Sequence, residues 1–352
     1  MTHSRYVVAL LAAMALALAG CSGTSSSGGG QVGNEPPPPP PLPPPLPPPS
    51  GEYHGIDRDG PYDVRATKAI VFAQGRVDQS NPRDEDLHLD LFEPDVDLTG
   101  YRVPVVVMVH GGGFRKGTRR HGVFQRFGDV FARQGFVAVS IDYRLIGQDP
   151  VLSPAYAQVL QRLGVSSSQE SFARVQLAAV EDTVGAIDWL ADWAADNGMG
   201  FAGVALLGES AGAVTIINLA YVMDDLGLAT PGIGVVVPLW GTIGLVYDSS
   251  VITVDEAPVI MVHGTADTIV NYETGSLRIA NRAASIGLPY ELITNVGAGH
   301  SFYDQDLFVL ETQPGSGVTQ AQRIIDFIGV GLLAPECLRE QGVIDACPVP
   351  AQ

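Results

Sequence analysis

The chain has 352 residues, of which 46% are hydrophobic and 16% are charged, a composition that excludes intrinsic disorder over most of its length. It carries 20 Lys and Arg residues against 38 Asp and Glu residues, so its formal net charge is −18. This charge argues against nucleic acid and anionic lipid as electrostatic partners. Binding of a phosphate group would require a local exception.

The first 20 residues predict an export signal. Arg5 precedes an uncharged apolar run over residues 6–19, which has the length of a signal-peptide core and is too short for a mature membrane helix. The run leads into Leu-Ala-Gly-Cys at residues 18–21, which resembles the lipobox of bacterial lipoproteins. The resemblance implies lipidation at Cys21 and a membrane anchor. Because Ser22 follows instead of aspartate, it implies the outer membrane or cell surface if the host is Gram-negative.

Residues 21–51 predict a tether between this anchor and a folded domain. The segment 22–33 is rich in Ser and Gly, and twelve of the fourteen residues in 36–49 are proline. A polyproline helix rises about 3 Å per residue, so the proline run would span roughly 40 Å. A ligand for a polyproline-binding domain is the less economical alternative. Residues 52–352 contain no further linker or repeat, which predicts one large domain.

The domain alternates between apolar runs and segments with helical spacing, a pattern typical of an α/β fold with a mostly parallel, doubly wound sheet. The runs are nearly continuous in apolar residues, as expected for strands that are buried on both faces. The predicted strands are residues 103–109, 136–141, 204–207 and 258–262, and the predicted helices are residues 122–134, 171–197, 211–223 and 274–285. Prolines and five glycines in the uncharged stretch 226–247 favour a buried strand with turns over a membrane helix.

A nucleophile motif follows one of the predicted strands. Residues 208–212 read Gly-Glu-Ser-Ala-Gly, which is Gly-x-Ser-x-Gly between a strand and a helix. Glycines are needed there because a sharp turn lifts the serine above the sheet and leaves no room for neighbouring Cβ atoms. The pentapeptide alone is weak evidence, so the flanking strand and helix carry most of the prediction that Ser210 is a nucleophile.

A second glycine motif follows the strand at residues 103–109. His110 is followed by three glycines and by Phe114. Three glycines can form a plain turn, but they also allow backbone N–H groups to approach a substrate oxygen. Such a donor can lower the barrier of acyl transfer by about 3 kcal/mol. The N–H of Ala211, at the start of the helix after Ser210, would add the helix dipole.

With these motifs, and with Asp-Tyr-Arg at residues 142–144, the sequence resembles the α/β-hydrolase superfamily over residues 103–302. Within it, the hormone-sensitive-lipase-like and type B carboxylesterases of bacteria are the most similar groups. The resemblance implies an α/β-hydrolase fold with a small or absent cap, and an oxyanion hole formed by Gly112, Gly113 and Ala211. It implies neither a cofactor nor a metal.

The family orders its catalytic residues as serine, acid and histidine, with the last two on loops after later strands. Asp267 and His300 match these positions. His300 would take the proton of Ser210, and Asp267 would fix the imidazole tautomer. Activity should therefore fall as the pH drops through about 6.5, the ordinary pKa of histidine.

Three other carboxylates lie near the same loops. Asp255 and Glu256 precede a strand, which places them at the opposite edge of a parallel sheet. Asp304 is only four residues from His300, and such a neighbour rarely reaches the far ring nitrogen. Of the other histidines, His110 and His263 are expected to brace loops at strand ends.

The three cysteines agree with export. Cys21 accounts for one, and Cys337 and Cys347 form a candidate disulfide that closes a short C-terminal loop. No histidine lies near this pair, which disfavours zinc, and the wide spacing disfavours a redox role.

The substrate pocket is the least constrained part of the prediction. Only about fifteen residues separate the proline run from the first likely strand, which lies upstream of the four strands named above. This leaves no room for an N-terminal cap, so the insertion 146–169 is the candidate lid. We expect an open cleft for short-acyl esters, or for aryl esters linked to a polymer. Phe114 and Trp240 are candidate floor residues, with plain core packing as the alternative for both.

The motifs thus predict a serine carboxylic-ester hydrolase. A serine peptidase of the same fold would use the same residues, but such enzymes generally add a propeller or cap domain. A surface-binding lipoprotein without activity would lack one of the catalytic elements, and the sequence has all of them.

Overall fold

The computed structural model describes residues 54–55, 62–246, 248–300 and 307–347. The predicted export signal, Cys21, the tether and Asp304 lie outside these residues. Within the described ranges, no helix combines the length and the apolar character needed to cross a bilayer.

One mixed sheet forms the centre of the described chain. Its strands are β1 (His54–Gly55), β2 (Val64–Val77), β3 (Arg83–Pro94), β4 (Tyr101–Val109), β5 (Val137–Ile141), β6 (Gly200–Glu209), β7 (Ile233–Leu239), β8 (Val259–Gly264) and β9 (Tyr290–Asn295). Their order is β2-β3-β5-β4-β6-β7-β8-β9, and β1 pairs with the start of β4. Strand β3 runs antiparallel to β2 and β5, whereas the pairs from β5 to β9 are parallel.

Helices cover both faces of this sheet. They are α1 (Gly122–Arg133), α2 (Pro154–Leu163), α3 (Ser167–Asp196), α4 (Ala211–Tyr221), α5 (Ser276–Ile286), α6 (Gln320–Leu333) and α7 (Pro335–Gln341). Helices α2 to α5 pack on one face, and α1, α6 and α7 pack on the other. This is the doubly wound α/β arrangement that the sequence predicts.

Strand β4 shows why the central strands are apolar throughout. Val105 and Val107 belong to the core under α2 to α5, whereas Val106 and Met108 belong to the core under α1 and α6. All four side chains are fully buried. A polar residue on either face would lose its hydration, so the strand reads as an unbroken apolar run.

The insertion 146–169 is small and packs on the body of the domain. Helix α2 is its main element, and it buries Val159 and Leu163 in the same core as α3. The C-terminal end is held by the predicted disulfide, since Cys337 and Cys347 are bonded with their Cα atoms 5.8 Å apart.

Candidate active site

Four loops meet at one edge of the sheet because the strands that precede them are parallel. Strands β4, β6, β8 and β9 all end at this edge, which we call the carboxyl edge. The residues that follow them include the triple glycine after His110, then Ser210, Asp267 and His300. Residues far apart in the chain are thereby brought into one site.

Ser210 lies in a strained turn between β6 and α4. Its φ of 49° and ψ of −112° are uncommon for a residue with a side chain. The Ser210 N–H donates to the carbonyl of Leu239 at 3.0 Å, which ties the turn to the end of β7. The strain is thus held by the neighbouring strand, and the serine side chain is lifted above the sheet.

The second glycine of the motif is required by close packing. A Cβ atom on Gly212 would lie 1.9 Å from the carbonyl oxygen of Val109. A Cβ atom on Gly208 would lie 2.5 Å from the backbone of Gly212. Helix α4 can therefore start directly against β4 only with glycine at both positions.

The three predicted catalytic side chains form one hydrogen-bonded chain. Ser210 Oγ lies 2.9 Å from Nε2 of His300, and Nδ1 of His300 lies 2.7 Å from Oδ2 of Asp267. The Nδ1 atom must donate because it faces a carboxylate, which leaves Nε2 free to accept the serine proton. Asp267 is buried, and the side chain of His300 is 16% exposed. The imidazole is thus held in the tautomer that a general base needs.

Asp267 is stabilised as a carboxylate by several donors. Its Oδ1 accepts from the N–H groups of Ile269 at 2.8 Å and Val270 at 2.9 Å. Its Oδ2 lies 3.1 Å from Nε2 of His263, in addition to His300. Burial opposes ionisation, but the hydrogen bonds outweigh it and hold the pKa of Asp267 well below its usual range.

His263 is a second histidine on the same acid. Its Nε2 faces two acceptors, Asp267 and the Val270 carbonyl at 2.9 Å, so this nitrogen carries the proton. Its Nδ1 then accepts from the hydroxyl of Ser276 at 2.8 Å. The sequence predicted only that His263 braces a loop. The structure adds that it touches the acid itself, at the i, i+4 spacing visible in the sequence.

The three backbone N–H groups that the sequence assigns to the oxyanion hole have no acceptor within the described part of the chain. The N–H groups of Gly112, Gly113 and Ala211 make no hydrogen bond within the described part of the chain. Gly112 and Gly113 have φ values of 107° and 63°, a conformation that favours glycine. Their part in an oxyanion hole stays a prediction, with which the absence of an acceptor among the described residues is compatible.

Glu209 links the nucleophile turn to the glycine loop, a contact that the sequence analysis missed. Its Oε1 accepts from the Gly111 N–H at 3.2 Å and lies 3.3 Å from Nδ1 of His121. Burial raises the pKa of Glu209, and His121 and the Gly111 N–H oppose this shift. His110 fixes the same loop, because its Nδ1 donates to the Gly111 carbonyl at 2.7 Å.

The two candidate floor residues are core residues in this structure. Phe114 and Trp240 are each 1% exposed. Phe114 packs edge-on against Phe172 and Tyr143. The placement favours the core alternative, because a side chain that is so completely covered has no face for a substrate. The rival carboxylates Asp255 and Glu256 precede β8 at the opposite edge of the sheet.

Comparison with known families gives one match. The model of the BD-FAE family matches residues 89–159. This region includes the glycine loop after His110 and ends before Ser210. It therefore covers the predicted oxyanion glycines but none of the three hydrogen-bonded side chains.

Solved structures of esterase 2 from Thermogutta terrifontis are similar to most of this chain. The form phosphonylated by sarin is 22% identical with a TM-score of 0.50, and the match covers 83% of this chain and 98% of that chain. The form phosphorylated by paraoxon is 23% identical with a TM-score of 0.49, covering 80% and 95%. The butyrate-bound form is 21% identical with a TM-score of 0.49, also covering 80% and 95%. At this level of identity the likeness concerns the fold, and the chain has the α/β-hydrolase fold.

Proposed function

We propose that the protein is a serine ester hydrolase. The observation that carries this proposal is the chain of contacts from Ser210 through His300 to Asp267, with distances of 2.9 Å and 2.7 Å, beside three backbone N–H groups without an acceptor among the described residues. A nucleophile, a base, an orienting acid and an oxyanion hole are the parts that acyl transfer requires.

The reaction would proceed in two steps. Ser210 Oγ attacks the acyl carbon while Nε2 of His300 takes the hydroxyl proton, and the N–H groups of Gly112, Gly113 and Ala211 hold the oxyanion. Collapse of the intermediate breaks the ester C–O bond, and the alcohol leaves with the proton from His300. Water then attacks the acyl-enzyme with His300 as base and releases the acid.

The first test is labelling with a fluorophosphonate probe. We expect the unchanged protein to be labelled at Ser210, and Ser210→Ala to remain unlabelled while its circular dichroism spectrum is unchanged. Equal labelling of both proteins would remove the proposal. Peptide anilides assayed beside chromogenic esters separate ester hydrolysis from the peptidase alternative, for which faster cleavage of the anilides is the expected sign.

We propose short-acyl or aryl esters, free or linked to a polymer, as substrates. The support is the small size of the insertion 146–169, whose main helix α2 buries Val159 and Leu163 in the core of the domain. Hydrolysis of a series of 4-nitrophenyl esters tests this point. A rate maximum at C2 to C6 is expected, and a preference for C12 or longer chains would contradict it.

We further propose that the protein is exported and anchored to a membrane by a lipid at Cys21. This proposal rests on the apolar run 6–19 and the Leu-Ala-Gly-Cys sequence at its end. Labelling of producing cells with an alkyne fatty acid should tag the protein, and Cys21→Ser should abolish both the tag and membrane recovery. Recovery of the variant with the membrane fraction would contradict the anchor.

A further inference from the structure

A basic loop interrupts the acidic character of this protein at its proposed active site. The segment 115–120 contains four of the 20 Lys and Arg residues of the chain, although the chain as a whole carries a net charge of −18. It follows directly after the glycines that we assign to the oxyanion hole. In a chain with a large net negative charge, such a positively charged segment is what the binding of an anionic ligand would require.

The tip of the loop is fixed against these glycines. The N–H groups of Arg115 and Lys116 both donate to the carbonyl of Gly112, at 3.1 Å and 3.3 Å. A Cβ atom on Gly112 would lie 1.9 Å from the Lys116 carbonyl oxygen. A Cβ atom on Gly117 would lie 2.3 Å from Nδ1 of His110. The chain therefore turns back tightly, which keeps Arg115 and Lys116 next to the proposed oxyanion hole.

The nearby acidic side chains are engaged by other residues of the loop. Arg119 is buried and pairs with both Asp90 and Asp142. Glu209 is buried beside His121. Asp142 also accepts the Thr118 hydroxyl at 3.2 Å. These contacts hold the base of the loop, and none of them, among the described residues, involves the side chains at its tip.

Arg115, Lys116 and Arg120 are exposed, and none of their side chains forms an ion pair with another described residue. Guanidinium and ammonium groups that lack an internal partner can bind a carboxylate by charge-assisted hydrogen bonds, bidentate in the case of Arg. Because the rest of the protein carries an excess of negative charge, these cations also confine the electrostatic attraction of an anionic ligand to this loop.

We propose that the loop tip, Arg115 and Lys116, selects ester substrates that carry a carboxylate close to the scissile bond. The proposal rests on the proposed ester hydrolysis and deepens it by naming the substrate class. The carboxylate belongs to the acyl half or to the alcohol half of the ester, because both halves adjoin the carbonyl group that the proposed oxyanion hole would bind.

The test compares esters that differ only in charge, using the full chain. The alcohol series is 4-acetoxybenzoate, neutral 4-acetoxybenzamide and the trimethylammonium-substituted phenyl acetate. The acyl series is the monoethyl ester of terephthalic acid and its neutral amide. The quantity compared is the ratio of kcat/KM for the anionic ester to kcat/KM for the neutral ester. It is measured for each protein at low and at high salt.

The informative variant is Arg115→Gln with Lys116→Gln, which removes two charges that have no structural partner among the described residues. Arg115→Lys with Lys116→Arg keeps both charges. The control that removes the same number of charges at the opposite edge is Arg102→Gln with Arg133→Gln, since Arg102 is the second residue of β4 and Arg133 is the last residue of α1. These two side chains contact the Phe201 carbonyl and Asp129, so any effect of losing such contacts appears in the control as well. Arg102 lies seven residues before the end of β4, roughly 23 Å along the strand from Val109.

In at least one series, the double glutamine variant should lose about tenfold in kcat/KM on the anionic ester and less than twofold on the neutral ester. The charge-keeping swap and the control should retain the ratio. Salt at 0.5 M should lower the ratio in the unchanged protein, in the swap and in the control, and should have little effect on it in the double glutamine variant. An unchanged ratio in the double glutamine variant, or an equal loss in the control, would overturn the proposal. Failure of the proposed ester hydrolysis can be distinguished from failure of the charge selection. In the first case, none of the esters is cleaved and the fluorophosphonate does not react.

Discussion

At the scale of single residues, Asp267 is the side chain on which the electrostatics of the site converge. It accepts hydrogen bonds from two backbone N–H groups, from His263 and from His300. These donors stabilise the charged form, so a negative charge faces the imidazole of His300, as the proposed transfer of the serine proton to this ring requires.

The substitution Asp267→Asn should therefore lower kcat by about 10³- to 10⁴-fold with little change in KM. The amide carries no charge to stabilise the imidazolium, and it can turn an N–H group toward a nitrogen that now also has a proton. Steady-state kinetics on a short-acyl ester measures this effect. A variant that keeps more than a tenth of the original kcat would show that Asp267 is not the acid of the site.

His263 should act as a positioning residue for this acid. Replacement by Phe removes the donor to Asp267 and leaves the hydroxyl of Ser276 and the carbonyl of Val270 without their partner. We expect kcat to fall about tenfold at constant KM, by analogy with residues that orient a histidine ligand, and the free energy of unfolding to fall by about 2 kcal/mol.

The matched control for His263 is Ser276→Ala, which removes the partner of Nδ1 but keeps the donor to Asp267. Its kcat should stay within about twofold of the original, because a small loss of stability does not turn the carboxylate. Equal losses of kcat in both variants would mean that His263 supports only the packing of the loop.

At the scale of elements, the sequence locates the strands that end in the site better than the strands at the side of the sheet. The run 103–109 predicts β4 to within two residues of its bounds, Tyr101–Val109, because both of its faces are buried. Strand β2 is exposed along most of Val64–Val77, and β3 alternates polar and apolar residues, so neither forms an apolar run. The hydrophobic pattern of the sequence is therefore a poor guide to these two strands, which become recognisable only through their hydrogen-bonded pairing in the sheet.

The same distinction applies to the site. Ser210, Asp267 and His300 could be placed from the sequence because each follows a recognisable strand. The contact of Glu209 with Gly111 could not, since it joins positions 98 residues apart through side-chain packing. The burial of Phe114 and Trp240 was equally inaccessible, because it depends on which helix covers each ring.

The C-terminal disulfide should stabilise its element without affecting turnover. It closes a loop with a sequence separation of 10, which contributes about 3 kcal/mol in the chain-entropy model. Helix α7 adjoins the segment before β8 through hydrogen bonds of Arg339 to backbone carbonyls there, at the edge opposite to Ser210. The double variant Cys337→Ser with Cys347→Ser should thus melt at a lower temperature and keep its kcat. A parallel loss of kcat would indicate that this segment supports the site.

At the scale of the whole molecule, the excess of acidic residues affects how stability depends on pH. Burial raises the pKa of Glu256 to about 7, and repulsion from Asp224 and Asp225 adds to the effect. The folded state therefore binds a proton that the unfolded state releases at a lower pH. Because the unfolded state binds fewer protons in this window, stability falls as the pH rises from about 4.3 to 7.

The substitution Glu256→Gln should remove this loss. Its side-chain oxygen can still accept the Thr253 N–H, which Glu256 holds at 2.6 Å. We expect the melting temperature at pH 8 to rise by about 2 °C, a figure reduced for the partial exposure of the group, with no change at pH 4. Thermal unfolding followed at both pH values checks this. An equal rise in melting temperature at pH 4 and at pH 8 would mean that the substitution acts through packing and not through the ionisation of Glu256.

The donors around Asp267 are divided unequally between its surroundings. Three of its four hydrogen bonds come from its own loop and from the preceding strand, and only one comes from His300. Loss of the His300 contact would therefore leave the carboxylate with three donors, and its negative charge in the interior would remain compensated.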